Sequence, residues 1–156
     1  MIKIWISWHR KELLPLSYKD DIFHYLDNFI IDKKLDKNDI IFNLWWAHWV
    51  DNTIWQYCIE NNIEYHLYLP FTYNENQIEE WSKSDIDDFY NVLNNENCTV
   101  TTSWSWYLWR NREIVNNSDI MIVWYLWDEK SGTWYTVKYA KKKDVHIYNI
   151  YNINIY

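Results

Sequence analysis

The sequence predicts an α/β fold of the Rossmann-like type, with an open, mainly parallel sheet and helices on both of its faces. Short, nearly continuous apolar runs alternate along the chain with segments whose apolar residues recur at helical spacing. Such runs are typical of strands that are buried on both faces of a parallel sheet. The chain has 156 residues and contains no internal repeat or long linker, so we expect a single domain over residues 1–156.

The apolar runs predict the strands. The first run, Ile2 to Ile6, is followed by the polar residues Ser7 to Arg10, which predict a loop. The third run stops at Pro70, because proline cannot donate a hydrogen bond to a neighbouring strand. The predicted strands are residues 2–6, 39–44, 64–69, 98–101, 119–123 and 145–150.

The segments between these strands predict helices. In the first of them, Ile22, Leu26, Phe29 and Ile30 recur at the spacing of one helix face. A more polar segment, residues 74–95, also favours helix. The other predicted helices are residues 17–32, 50–62, 110–117 and 133–142.

Composition limits the environment and the partners that we expect. A net charge of −7 argues against nucleic acid, because binding to phosphates needs a basic face. The N-terminus does not resemble a signal peptide, and no apolar run reaches the roughly 18 residues of a membrane span, so we expect a cytoplasmic protein without a membrane partner. Two distant cysteines and five histidines without ligand spacing predict no metal site, and we expect no cofactor.

The balance of tryptophan and glycine is abnormal. The chain has 13 Trp and 1 Gly, whereas average usage would give a chain of this length about 11 glycines. Several tryptophans fall where the predicted layout needs a turn between a strand and a helix. Turns need glycine wherever φ is positive or the backbone must approach a ligand closely, and a bulky residue there would be strained.

Three blocks of the sequence form known patterns when their tryptophans are read as glycine. Residues 5–10 then read G-I-S-G-H-R, residues 43–51 read N-L-G-G-A-H-G-V-D, and residues 103–112 read S-G-S-G-Y-L-G-R-N-R. With these readings the chain resembles the SLOG superfamily, a Rossmann-like group that includes the DNA-processing protein DprA/Smf and the LOG phosphoribohydrolases.

The DprA-like branch gives the closer resemblance, which extends over residues 2–150. Leu44 to Asp51 correspond to its S-G-G-A-x-G-[IV]-D, and Arg110 to Val115 correspond to its R-N-R-x-I-A. Ser131-Gly132-Thr133 correspond to its S-G-[ST]. Each block alone is a weak signal, and the combination with its spacing is specific.

We hypothesise that the gene uses UGA for glycine and that the sequence as printed reads UGA as tryptophan. The chain is rich in Asn, Ile, Lys and Tyr and has only two prolines, as expected for an AT-rich genome in which codons are reassigned. Trp81, which lies in a polar helical segment, is read as a true tryptophan, and Trp124 and Trp127 are ambiguous. If the motif tryptophans are real, we expect them to block or remodel the loops.

The three blocks and Ser131-Gly132-Thr133 predict one binding site. In an open parallel sheet, ligands bind beyond the carboxyl ends of the strands. Glycines there would let backbone N–H groups reach a phosphate at the start of a helix, and Arg10 and Arg110 would add charged donors. The candidate ligand-binding residues are Ser7, Trp8, His9, Arg10, Trp45, Trp46, Ala47, Trp49, Asp51, Arg110, Asn111, Ser131, Gly132 and Thr133.

Simpler roles compete for some of these residues. Arg10 beside His9 could be a solvated loop pair, and Asp51 is better explained as a cap for the first turn of its helix than as a catalytic group. Asn111 could hold two loops together rather than touch a ligand. Ser131-Gly132-Thr133 is the strongest ligand candidate, because hydroxyl groups and the one retained glycine coincide at a predicted helix start.

Three functions follow from the resemblance. The first is binding or sensing of a nucleotide or nucleotide-derived ligand. The second is hydrolysis of an N-glycosidic bond as in the LOG branch, but alignment on Gly132-Thr133 puts Thr136 at the position of the catalytic Glu, so the acid is absent. The third is DprA-like binding of single-stranded DNA, against which the net charge counts. The resemblance also implies a homo-oligomer.

Overall fold

The computed structural model describes residues 1–8, 18–45, 50–70, 87, 90–103, 107–124 and 132–149. In this part of the chain it contains one six-stranded sheet. The strands are β1 (Ile2–Trp8), β2 (Ile40–Trp45), β3 (Glu64–Pro70), β4 (Cys98–Ser103), β5 (Ile120–Trp124) and β6 (His146–Asn149). They lie in the order β4-β3-β2-β1-β5-β6, and all neighbouring pairs are parallel.

In the described ranges, four helices of ten or more residues lie between the strands. They are α1 (Tyr18–Asp32), α2 (Val50–Glu60), α3 (Tyr107–Asn116) and α4 (Gly132–Lys142). Residues 90–93 are also helical, and residues 37–39 form a 3-10 turn before β2. None of the helices in the described ranges is both long and apolar enough to cross a membrane. The predicted Rossmann-like α/β fold with a parallel sheet is therefore confirmed.

Every strand differs from its predicted range by one or two residues at an end, β3 for example including Pro70, and two differences bear on the candidate loops. β1 continues through Ser7 and Trp8, which the sequence pattern places in a loop, because they pair with Val123 and Trp124 of β5. The helix predicted from residue 110 begins at Tyr107 instead. The printed Tyr-Leu-Trp before Arg110 is compatible with a helix, so the helix extends three residues further towards the N-terminus than predicted.

Helices cover both faces of the sheet. On one face, Ile22 and Leu26 of α1 and Ile54 of α2 pack with Ile4 and other strand residues in the larger apolar core. On the other face, Ile114 of α3 and Val137 of α4 pack with Met121 and Val123 of β5. Burial on both faces explains why the strands show continuous apolar runs rather than alternation.

Two tryptophans belong to these cores. Trp5 lies inside β1, is 4% exposed and packs in the same core as Ile114, Val115 and Met121. Trp55 of α2 is 1% exposed and belongs to the core on the opposite face. Both indoles therefore fill core space.

Three helices end in the same way, each with a residue at positive φ. Lys34 after α1, Asn62 after α2 and Asp144 after α4 have φ values of 54°, 55° and 57°. In each case the next residue donates its backbone N–H to the carbonyl five residues earlier, as Leu35 does to Ile30 at 2.9 Å. This is the Schellman motif, in which glycine is the usual residue at positive φ because it has no Cβ to clash.

Substituting glycine at such a position should stabilise the fold. We expect Lys34→Gly to raise the free energy of unfolding by about 0.5–1 kcal/mol, because it removes the cost of a left-handed non-glycine residue. Urea unfolding followed by circular dichroism measures the change. Lys33→Gly is the matched control, since this neighbour does not have a positive φ. An equal gain from both variants would contradict the explanation.

Candidate functional site

The sheet order creates a crevice between β1 and β5. From β1 the chain adds β2, β3 and β4 on one side, and then returns through α3 to place β5 and β6 on the other side of β1. The connections that leave β1 and β5 therefore run in opposite directions. In open α/β sheets, ligands bind at such a switch point, beyond the carboxyl ends of the two strands.

The backbone of several candidate residues lies at this carboxyl edge. Ser7 and Trp8 end β1, and Trp45 ends β2. Gly132 is the first residue of α4, and Thr133 is the second. Since each helix follows a strand, the N-termini of α1, α2, α3 and α4 all begin on this side of the sheet.

The remaining candidates divide into two groups. Asp51 is the second residue of α2, and Arg110 lies in the first turn of α3. Arg110 is thus three residues inside the helix rather than at its start. The others, His9, Arg10, Trp46, Ala47, Trp49 and Ser131, lie outside the residues that the structure describes.

Asn111 links two helices. Its side-chain amide donates a hydrogen bond to the Thr136 hydroxyl at 3.2 Å, and the two residues are 7% and 3% exposed. Asn111 belongs to α3 and Thr136 to α4, so the contact ties together the helices that cover this face of the sheet. Thr136, at the position where the LOG branch carries its acid, is therefore part of the packing between α3 and α4.

Above this contact lies a groove that the sequence reasoning missed. It is a half-open cavity of about 230 Å³ between α3 and α4. Besides Asn111 and Thr136, the residues along it are three cations and three aromatic side chains: Arg112, Lys138, Lys142, Trp134, Tyr135 and Tyr139. The lysines of α4 are visible in the sequence, but Arg112 joins them only through the packing of α3 on α4.

His66 is a half-buried histidine of β3, and its pKa is lowered from the ordinary value. Burial is the main cause that lowers its pKa, the charge of Lys3 lowers it further, and Glu113 opposes both. Its ring contacts the Thr101 hydroxyl and stacks on Tyr68. His66 lies in the middle of β3, away from the carboxyl edge. Within the described residues, no three His, Cys, Asp or Glu side chains come together as a metal site requires.

Comparisons by sequence do not assign a family. No family model matches the chain, and no curated protein matches it.

Solved structures do match the fold. TM1055, a structural-genomics target, shares 14% identity at a TM-score of 0.59, over 94% of this chain and 72% of that one. DNA processing protein A from Helicobacter pylori, whose single-stranded DNA binding mode has been described, shares 15% identity at a TM-score of 0.64. That match covers 95% of this chain and 64% of the Helicobacter protein, so the chain spans less than two thirds of its length.

These similarities concern the fold. They do not support the exclusion of nucleic acid that was inferred from the net charge, since one of the two proteins binds single-stranded DNA. The described part of the chain has the Rossmann-like fold of TM1055 and of the Helicobacter protein.

Proposed function

We propose that the chain binds a nucleotide or nucleotide-derived ligand, with a phosphate held in the crevice between β1 and β5. One observation carries the proposal. The single glycine of the sequence is the first residue of α4, the helix that follows β5 at the switch point. A helix N-terminus offers free N–H groups and a favourable dipole for an anion, and glycine lets the anion approach the backbone.

The proposal also concerns positions 8, 45, 46 and 49, where the sequence prints tryptophan. We propose that the encoded protein has glycine at these four positions. Trp8 ends β1, one of the two strands at the crevice, and Trp45 ends β2, the strand next to β1 in the sheet. Backbone donors in these loops would reach a phosphate only where no large side chain stands between them. We call the chain with glycine at these positions the four-glycine chain.

Binding is favoured over hydrolysis. A phosphoribohydrolase of the LOG type would need a carboxylate where Thr136 stands. Thr136 is buried and accepts a hydrogen bond from Asn111, so no acid is available at that place. We therefore propose a binding or sensing domain rather than a hydrolase.

A ligand screen tests the proposal. The four-glycine chain is heated with nucleoside monophosphates, ADP-ribose, cyclic ADP-ribose or NAD, and its melting temperature is recorded. A ligand present at 100 times its Kd should stabilise the fold by about 2.7 kcal/mol. Thr133→Ala should remove most of this shift, whereas Thr99→Ala, an exposed threonine on β4, should keep it. Release of free base during the assay would instead favour the hydrolase, and the absence of any shift would contradict the proposal.

A further inference from the structure

The groove between α3 and α4 is a basic surface on an acidic chain. The whole chain carries a net charge of −7, yet Arg112, Lys138 and Lys142 line the groove, and none of its described lining residues carries a carboxylate. Interfaces bring together surfaces of opposite charge, which steers the encounter and excludes wrong partners. The groove therefore complements an anionic partner.

Two of these cations are held against aromatic rings. The Lys138 ammonium lies 4.2 Å from the centre of the Trp134 ring, and the Arg112 guanidinium lies 5.3 Å from that of Tyr139. The Tyr139 hydroxyl donates to the Asn116 side chain at 2.9 Å, which fixes the ring. Cation–π contacts restrict the long side chains in the free protein, so less side-chain entropy is lost when a partner binds.

The aromatic side chains give the groove the composition of a protein interface. Tryptophan, tyrosine and arginine are the residue types that contribute most binding energy between proteins, and the groove combines Trp134, Tyr135 and Tyr139 with Arg112. Tyr135 is 52% exposed and meets Trp134 edge to face, with the ring centres 4.7 Å apart. The exposed ring offers an apolar contact that an anionic group alone does not use.

The size of the groove suits a short peptide segment. Its volume of about 230 Å³ is below the roughly 300–1,000 Å³ of the usual pocket for a small molecule. Trp134 and Lys142 are eight residues apart on α4, which corresponds to about 12 Å along the helix at ~1.5 Å per residue. An extended peptide advances about 3.3 Å per residue, so this length accommodates about four residues.

We propose that this groove binds a short acidic segment of a partner protein. An aromatic or large apolar side chain of the segment packs on the Tyr135 ring, and carboxylates on either side of it contact Lys138, Lys142 and Arg112. Arginine binds a carboxylate through two parallel hydrogen bonds, which adds orientation to the attraction. The groove lies along α4, whereas the proposed nucleotide crevice lies at its N-terminus, so this inference does not rest on the proposed function.

The charge around the groove favours a short segment over a long polyanion. Asp144 follows Lys142 by two residues and is exposed at the end of α4. A long polyanion continues beyond the groove, where it meets this carboxylate and the field of a chain with a net charge of −7. A segment of about four residues ends within the basic surface and avoids that repulsion.

Fluorescence anisotropy tests the inference with a labelled pentapeptide that has two glutamates on each side of a central phenylalanine. Lys138→Glu/Lys142→Glu should weaken binding at least about tenfold, because two attractions become repulsions. Tyr135→Ala should weaken it at least about fivefold, and Tyr135→Phe should retain it. A peptide with glycine at the centre should bind Tyr135→Ala and the unchanged chain equally, since the contact that Tyr135 makes is then absent from both.

The control matches the change in charge at another surface. Lys19→Glu/Lys37→Glu replaces two exposed lysines that do not line the groove, and it should lose much less affinity. Equal losses from the two double variants would overturn the proposal, as would oligo-dT that displaces the peptide more readily, charge for charge, than unlabelled peptide does. A groove variant that changes the oligomeric state but not peptide binding would also overturn it, because a second copy would then occupy the groove. The groove variants should keep the melting-temperature shift caused by a mononucleotide, so that failure at one site is distinguishable from failure at the other.

Discussion

The four-glycine chain should bind its nucleotide at least about 100-fold more tightly than the chain that carries tryptophan at positions 8, 45, 46 and 49. A hydrogen bond to a charged group contributes about 1.5–3 kcal/mol, so recovering two backbone contacts to a phosphate gives about 3–6 kcal/mol. Each 1.4 kcal/mol is about a factor of ten in Kd. Isothermal titration of both chains with the best ligand from the thermal screen measures the difference.

A matched substitution distinguishes the effect of glycine in the motif loops from the effect of removing any tryptophan. Trp81→Gly changes a tryptophan outside the motif loops, and it should produce no gain in affinity. If the tryptophan chain binds as tightly as the four-glycine chain, the loops do not work through close backbone approach. The coding DNA gives an independent test: UGG codons at the four positions would refute the reassignment of UGA.

The sequence predicted most of the fold because periodicity and burial are closely linked in this architecture. Strands such as β5, in which Met121, Ile122 and Val123 are all fully buried, must be apolar throughout. The helix α4 places Val137 and Ala140 on the sheet, three residues apart, as helical spacing requires. The largest errors are at the end of β1, the end of β4 and the start of α3, where the element extends two or three residues beyond its predicted bound.

The exact ends of the helices are a feature that the local sequence pattern does not predict. The backbone adopts positive φ at Lys34, Asn62 and Asp144, although none of the three is a glycine. The apolar pairs of the Schellman motif, such as Cys58 with Ile63, are visible in the sequence, but they do not identify the end of a helix without the glycine that normally follows. Within the described residues, tryptophan takes no position of positive φ.

The groove between α3 and α4 was missed for a different reason. Net charge is summed over the whole chain, while recognition depends on the few side chains that meet at one place. Arg112 and Lys138 are distant in sequence and come together because Ile114 and Val137 bury their helices side by side on the sheet. The carboxyl edge was easier to anticipate as the place for a candidate site, because topology alone determines where strand ends meet.

Trp5→Gly should be the most damaging single change among the tryptophans that the family pattern reads as glycine. The indole is 4% exposed in β1 and packs in one core with Tyr68, Ile114 and Met121. Truncation of a buried tryptophan costs about 3–5 kcal/mol, and glycine inside a strand adds about 0.5–1 kcal/mol. The midpoint of urea unfolding should therefore fall sharply, whereas Trp5→Phe, which keeps a ring in the core, should lose less.

Trp8→Gly, three residues further along the same strand, is the matched control and should change the stability little if glycine is the encoded residue there. This pair of variants divides the tryptophans into those that fill the core and those that stand at the crevice. A rise in unfolding midpoint for Trp5→Gly would mean that the indole overpacks the strand. The glycine reading of position 5 would then stand, and the core around Met121 would have to close over a smaller residue.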